Sequence, residues 1–393
     1  MVNTQTSPVQ ALDLDELQKR IDAGYIRRQW SDDRQIFIAN YTHRAQHDRV
    51  WDEYTRICRG LILNKDGSIH SRSFPKFYNL NEMEESCIEN LPDEQPVITT
   101  KLDGFLGLTY WNAGKLRVAS RGSFNSEYAL WATDWLRSHL SDTMRDTADG
   151  TDKPEVTLVF EILYPFKRIV VDNSKQYGLV LLAVVDNETG EDMPYTNLHN
   201  WTDDTGLPVV PRFQTTSIHD CVELGKTLRG VEQEGFVAHY PKAGLRVKIK
   251  GDDYCKIHRI ATRLTERRVW EMLMPPKGDN TGAPDIRQLD DTLAILPPEY
   301  QNWTLEVANR LCNDFDAAMA ESIKVSNHLR ELYSLYRLPR KQLVEHLQTV
   351  FPESVFHTAI ALYDGQSRRA SDMIWKRLRP EHNIPILRDG EDE

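Results

Sequence analysis

Apolar residues follow two rhythms along this chain, and the change from one to the other near residue 255 divides it. The opening LDLDELQKRIDAG, within residues of about 10 to 30, repeats its apolar positions at helical spacing and predicts a helix ending at Gly24. QIFIANYT then reads as a strand. From there to about residue 250, short β-runs alternate with turn residues. CRGLILNKDGSIHSRSF predicts a hairpin around Asp66-Gly67, and FLGLTYWNAGKLRVASRG predicts another around Asn112 to Gly114. VTLVFEIL, GLVLLAVVDNETGE and EGFVAHYPKAGLRVKIK continue the same style, interrupted by helical spacing over Asn125 to Leu140.

After Tyr254 the strand signal disappears. ATRLTERRVWEML, NWTLEVANRLCNDFDAAMAESIKVSNHLRELYSLY, RKQLVEHLQTV and SDMIWKRL all repeat at helical period. The expectation is an α+β chain: a first domain over residues 1–254, of mainly antiparallel sheets with flanking helices, and an all-helical second domain over 255–393. Within the second, PPKGDNTGAPD (275–285) predicts a long loop, and the tail RDGEDE is expected to fray. There is no internal repeat or low-complexity block.

Composition narrows the class of protein. With 393 residues, 40% hydrophobic and 27% charged, the chain can bury two substantial cores, which argues against a single small binding module and against disorder. The longest apolar run, YGLVLLAVV, is far too short to span a bilayer, and MVNTQTSPVQ has no basic-then-apolar signal pattern, so a cytoplasmic location without membrane association is expected. Five scattered cysteines with no CxxC pair suggest neither a disulfide framework nor a structural zinc site. A net charge of −11 argues against nucleic acid as a partner, since phosphate binding rests on Lys and Arg. Between His239 and Trp270, however, nine cations stand against three acids, so one strongly basic segment sits in an acidic protein. Taken alone that segment reads as a solvated charge run.

Chemistry enters at Lys101-Leu-Asp103-Gly104, just after the β-run PVITT. By itself this is a lysine leading into a turn. Downstream come Phe160-Glu161, then Glu234-Gly235-Phe236-Val237, then Lys248-Ile249-Lys250, each on or beside a predicted strand. Strand alternation points Lys248 and Lys250 the same way and turns Ile249 inward. Like charges side by side are unfavourable unless an anion is shared between them, and a nucleotide phosphate is such an anion.

The ordered set CRGLI, PKFYNLNE, KLDG, SRGS, FEIL, EGFV and KIK, from about Arg59 to Tyr254, resembles the covalent nucleotidyltransferases and, within them, the bacteriophage-type RNA ligase 1 family. PKFYNLNE, FKRIVVD with its following strand and NETGE, and KIKGDDY favour that family over its relatives.

The resemblance implies an ATP-dependent RNA ligase in which Lys101 attacks the α-phosphate of ATP, forms lysyl-AMP and expels pyrophosphate. A lysine amine with an ordinary pKa of ~10.4 is almost wholly protonated at neutral pH, so attack calls for nearby cations or burial. By resemblance Lys248, Lys250 and Mg²⁺, with Mn²⁺ as an alternative, supply those cations and neutralise the phosphate oxygens. Glu161 is similar to the residue that binds the ribose hydroxyl, and Glu234 to the acid that positions the metal or its waters. Asp103 and Gly104 complete the nucleotide-binding set. Arg59 and Lys76 resemble cations that hold the triphosphate or the RNA end, with Phe77 or Tyr78 available to stack on the purine. Arg121 stands where the family commonly has Lys, which keeps the charge and changes its geometry.

AMP would then pass to an RNA 5′-phosphate, and a 3′-hydroxyl would displace it to seal the strand. Tyr254, Lys256, Arg259 and Arg263 are the residues expected to meet RNA. The expected partner is RNA carrying 5′-phosphate and 3′-hydroxyl ends, with broken transfer RNA as one candidate substrate, and the protein is expected to act as a monomer.

DNA ligases and capping enzymes share Lys-x-Asp-Gly and the paired lysines, but there the chain normally continues into a small β-barrel, whereas here it continues as helices. A non-catalytic nucleotide- or RNA-binding module on a ligase fold is the alternative from another class, and the presence of Lys101, Glu234 and Lys250 together counts against it. By resemblance the helical domain over 255–393 is expected to set RNA specificity; partner docking is the alternative reading, and NHLRELYSLY packs a core as readily as it binds a partner.

Overall fold

The computed structural model describes residues 11–142, 154–203, 205–215, 217–274 and 282–387. The first ten residues, positions 275–281 of the expected loop and the RDGEDE tail lie outside the described residues. The chain divides into two compact units, one running to His258 and one over Arg259–Leu387. The helix Asp252–Ala261 crosses that division.

Twelve described strands lie in the first unit, in three four-stranded sheets. The first sheet is an antiparallel meander of β1 (Ile26–Trp30), β2 (Ile36–Tyr41), β3 (Arg59–Asn64) and β4 (Ile69–Ser71). The remaining strands are β5 (Tyr78–Asn79), β6 (Val97–Lys101), β7 (Phe105–Asn112), β8 (Lys115–Ser120), β9 (Val156–Leu163), β10 (Gly178–Asp186), β11 (Gly235–Tyr240) and β12 (Leu245–Lys250). They form one sheet ordered β10-β9-β7-β8 and another ordered β5-β12-β11-β6, in which only the β5–β12 pair is parallel.

Alternation explains how these sheets bury both faces. On β2, Phe37 and Ala39 join Leu17 of helix Leu14–Asp22, while Ile36 and Ile38 turn the other way and meet Leu108 and Tyr110 of β7. Helix Glu127–His139, capped by the Ser126 hydroxyl, lays Tyr128, Ala132 and Leu136 on Phe160 and Ile162 of β9. Helix Ile218–Gly225 covers the third sheet through Ile218 and Cys221, which pack on Phe236 and Ile249.

Both expected hairpins form, with Gly67 at φ +84° in the first turn and Ala113 and Gly114 at +51° and +69° in the second, the left-handed pair that a two-residue turn needs. The opening helix is shorter than its pattern suggested. It stops at Asp22, Gly24 takes φ +76°, and IRRQW becomes β1 because its pairing with β2 outweighs a polar composition with little strand signal. Helix Ile218–Gly225 likewise interrupts a stretch that reads as strands and turns.

The second unit is helical. Its longest element, Pro298–Tyr336, buries Tyr300, Thr304, Val307, Leu311 and Phe315 along one stripe, and Trp270 stacks on Trp375 with centroids 5.6 Å apart.

Candidate active site

Three strand ends in the third sheet meet at one row. Gly235 on the central strand β11 pairs with Lys101 on β6 at one side and with Lys250 on β12 at the other. Glu234 directly precedes Gly235, so its side chain rises between two flanking lysines. Lys101 Nζ donates to Glu234 Oε2 at 2.7 Å, and Lys250 Nζ pairs with Oε1 at 3.0 Å. The glycine is required here: Gly235 has φ +151°, and a Cβ would stand 2.1 Å from the Ile249 carbonyl oxygen. Burial works to raise the Glu234 carboxyl, which is 3% exposed, but Lys101 and then Lys250 outweigh it and hold the group below the ordinary carboxylate range. Lys250 gains in return: burial opposes its charge, and Glu234 more than restores it, raising its pKa.

Asp103 sits beneath this row and is buried. Its carboxylate accepts hydrogen bonds from Val170 N at 2.8 Å, Val171 N at 2.7 Å and the Tyr254 hydroxyl at 2.7 Å, and its carbonyl accepts from Asn173 Nδ2. Burial, followed by the charge of Glu234, raises its pKa despite these donors. Asp103 therefore clamps the loop after β9 to the lysine turn. Tyr254, grouped from sequence with the RNA-facing residues, is buried with its hydroxyl committed to Asp103, and burial first, then Glu234, drives its pKa well above the usual phenol value. Gly104 has no room for a side chain, since a Cβ would lie 2.5 Å from the Ile162 carbonyl oxygen. Its N–H donates to Glu161 at 2.9 Å. Burial raises the Glu161 carboxyl to about 7, against the pull of Lys101 and with the push of Glu234.

Beside the row lies a layer of cations and aromatic rings. Lys248 Nζ lies 4.7 Å from the Phe77 ring centroid, and the Arg59 guanidinium lies 5.2 Å from the same ring. Buried Lys76 reaches the Tyr41 hydroxyl at 3.4 Å and Gln46 Oε1 at 3.1 Å, with the Tyr41 and Trp51 rings each 4.9 Å away. Arg121 donates to the same Tyr41 hydroxyl at 3.2 Å. Burial, and then the charges of Lys76, Arg59, Lys101 and Lys250, push Lys248 well below the ordinary lysine value. Tyr78 is buried and its phenol is raised to about 12 by burial.

The expected residues thus gather in the first unit: Lys101, Glu234 and Lys250 in one row, Asp103, Gly104 and Glu161 under it, and Arg59, Lys76, Phe77, Tyr78, Arg121 and Lys248 beside it. Tyr41 and Trp51 complete the layer and carry no local sequence signal, because their importance comes from the cations that fold onto them. Lys256 and Arg259, on helix Asp252–Ala261, and Arg263 just beyond it are exposed. Among the described residues no cluster of three or more His, Cys, Asp or Glu could hold a metal alone. Mg²⁺ needs only one or two carboxylates when phosphate and water complete its shell, and Glu234, with half-buried Glu161 near it, meets that number.

A lysine bridged to a buried glutamate, with cations beside it, on three mainly antiparallel sheets in this motif order, is the arrangement expected of a nucleotidyltransferase-type domain. The family is narrower. A family model described as RNA ligase, of the phage T4 RNA ligase 1 type, matches residues 57–254, and the chain belongs to that family. A protein of Autographa californica nuclear polyhedrosis virus, described as a bifunctional polynucleotide kinase/RNA ligase, is 28% identical over 58% of this chain, a match that spans only 35% of the viral protein. The RNA ligase of Rhodothermus phage RM378 is 25% identical over 73% of this chain and 77% of its own length. The solved archaeal ATP-dependent RNA ligase is 14% identical, covering 77% of this chain and 79% of that one with a TM-score of 0.47.

Proposed function

We propose that this member of the RNA ligase family joins RNA ends at the expense of ATP, with Lys101 as the residue that carries AMP. The observation that supports this most directly is the row itself, in which Lys101 is held by Glu234 beside Lys250, with Lys248 and its cation layer next to it.

In the first step Lys101, having released a proton to solvent, attacks the α-phosphorus of ATP through Nζ. A P–N bond forms, a second amine proton goes to solvent, the bond to the bridging oxygen breaks, and pyrophosphate leaves. Arg59, Lys76, Lys248 and Lys250 balance the phosphate charge, in a site where fixed cations need no reorganisation. Glu161 accepts the ribose hydroxyl hydrogen bond, and Phe77 offers a ring to the purine. A divalent ion, Mg²⁺ or Mn²⁺, held by Glu234 with phosphate oxygens, would further neutralise the leaving group. In the second step an oxygen of an RNA 5′-phosphate attacks the same phosphorus, the P–N bond breaks, and Lys101 recovers both protons from solvent. In the third a 3′-hydroxyl oxygen attacks the RNA phosphate, sealing the strand and releasing AMP. Lys256, Arg259 and Arg263, all exposed, are the residues proposed to meet RNA phosphates.

The test is a sealing assay with 5′-labelled RNA carrying a 3′-hydroxyl, ATP and Mg²⁺. RNA-adenylate followed by longer or circular RNA supports the reading, and RNA left unchanged by protein that has bound ATP refutes it.

A further inference from the structure

A chain of aromatic rings leaves the end of β9 and runs out to the surface. Phe166 is 79% exposed, and its ring meets Tyr164 at 5.4 Å. Tyr164 meets Trp131 at 5.5 Å, Trp131 lies 6.3 Å from Trp135, and Trp135 stacks on His139 at 3.8 Å. The base of this ledge is rigid. Tyr164, Trp131 and Trp135 pack on the buried core of the second sheet, and Tyr164 stands edge-on to Tyr128, itself stacked on Phe105 at 3.9 Å. An exposed phenylalanine adds little to folding, because it removes almost no apolar surface from water.

Its place in the chain gives it a context. The segment carrying Phe166 begins three residues after Glu161 and ends at Val170 and Val171, whose N–H groups are held by Asp103. Both anchors belong to the candidate active site. Two cations, Lys167 and Arg168, follow Phe166 directly, and Lys167 Nζ is fixed 2.7 Å from the Tyr128 hydroxyl. Aromatic faces with adjacent cations, continuous along the chain with the proposed nucleotide site, are the combination that holds single-stranded nucleic acid, because every base has a π-face and every linkage a negative charge.

We propose that this ledge binds the RNA substrate, stacking unpaired bases on Phe166 and its neighbours so that the strand leads toward the site of joining. The inference rests on the ligase reading for the identity of the ligand, and its test does not depend on catalysis. Affinity for a short, fluorescently labelled, single-stranded RNA with a 5′-phosphate is measured by anisotropy for the wild-type protein and for Phe166→Ala and Phe166→Tyr. The expected result is roughly tenfold weaker binding for Phe166→Ala, with affinity kept by Phe166→Tyr. Abasic replacement of the contacted nucleotides should weaken wild-type binding and leave Phe166→Ala almost unaffected.

Equal affinity of Phe166→Ala and wild type would overturn the ledge, as would equal losses in Phe166→Ala and Phe166→Tyr. A change of oligomeric state without a change in RNA affinity would point to a protein contact and overturn it too. AMP transfer, measured separately, tells the two readings apart: transfer with no ledge effect leaves the ligase and removes the ledge, and a ledge effect without transfer does the reverse.

Discussion

Lys250 and Lys248 stand two residues apart on one face of one strand, yet the site treats them in opposite ways. Lys250 faces Glu234 and is held charged, whereas Lys248 lies over Phe77 with Arg59 and Lys76 nearby and is pushed toward its neutral form. One end of the site thus shares a carboxylate between two lysines, and at the other cations crowd one another and disfavour the charge on Lys248. The difference shows that strand spacing sets where a lysine points, while the groups that fold onto it set what it can do.

The largest disturbance of this contrast should come from Glu234→Ala, which leaves Lys101 and Lys250 without their shared carboxylate. Breaking a buried ion pair from one side is costly, so urea unfolding should show a loss of about 3–5 kcal/mol. An unchanged midpoint would mean that the row is not held together by this glutamate.

Lys248→Met should act in the opposite sense, with AMP transfer falling sharply while the folded state gains about 1 kcal/mol, because a lysine whose charge is disfavoured by burial and by neighbouring cations is replaced by an apolar chain. The pH dependence sharpens this. The folded pKa of Lys248 lies below its unfolded value of 10.5, so between the two the unfolded chain binds more protons and wild-type stability rises with pH. Lys248→Met should flatten that rise, and a retained slope would assign it to another group.

The smallest expected effect is at Glu161. Its folded pKa, about 7, exceeds the unfolded value of 4.5, so the stability it contributes is present below 4.5 and is lost as pH rises through about 7. Glu161→Gln should remove this part of the pH profile in thermal melts, and an unaltered profile would place the titration elsewhere.

Much of this site was legible because its parts are locally encoded. The hairpins announce themselves through Asp66-Gly67 and Asn112 to Gly114, and KIK declares a shared face by strand alternation alone. What could not be read were the contacts between distant segments. Asp103 looks like part of a nucleotide motif, but in the fold it is the clamp on Val170 and Val171, more than sixty residues away. Tyr254 reads as a residue at the edge of a basic stretch, yet it is buried on that same clamp. Tyr41 and Trp51 carry no motif, and IRRQW gives no strand signal, since each depends on partners that only the tertiary structure supplies.

The central claim is that Lys101 on β6, and neither lysine of β12, carries the nucleotide. Protein freed of bound AMP would be incubated with ATP and Mg²⁺, digested, and the modified peptide sequenced by mass spectrometry, with Lys101→Ala as the control. The account predicts AMP on Lys101 and no adduct in the variant. AMP on Lys248 or Lys250, or an adduct that survives Lys101→Ala, would contradict it.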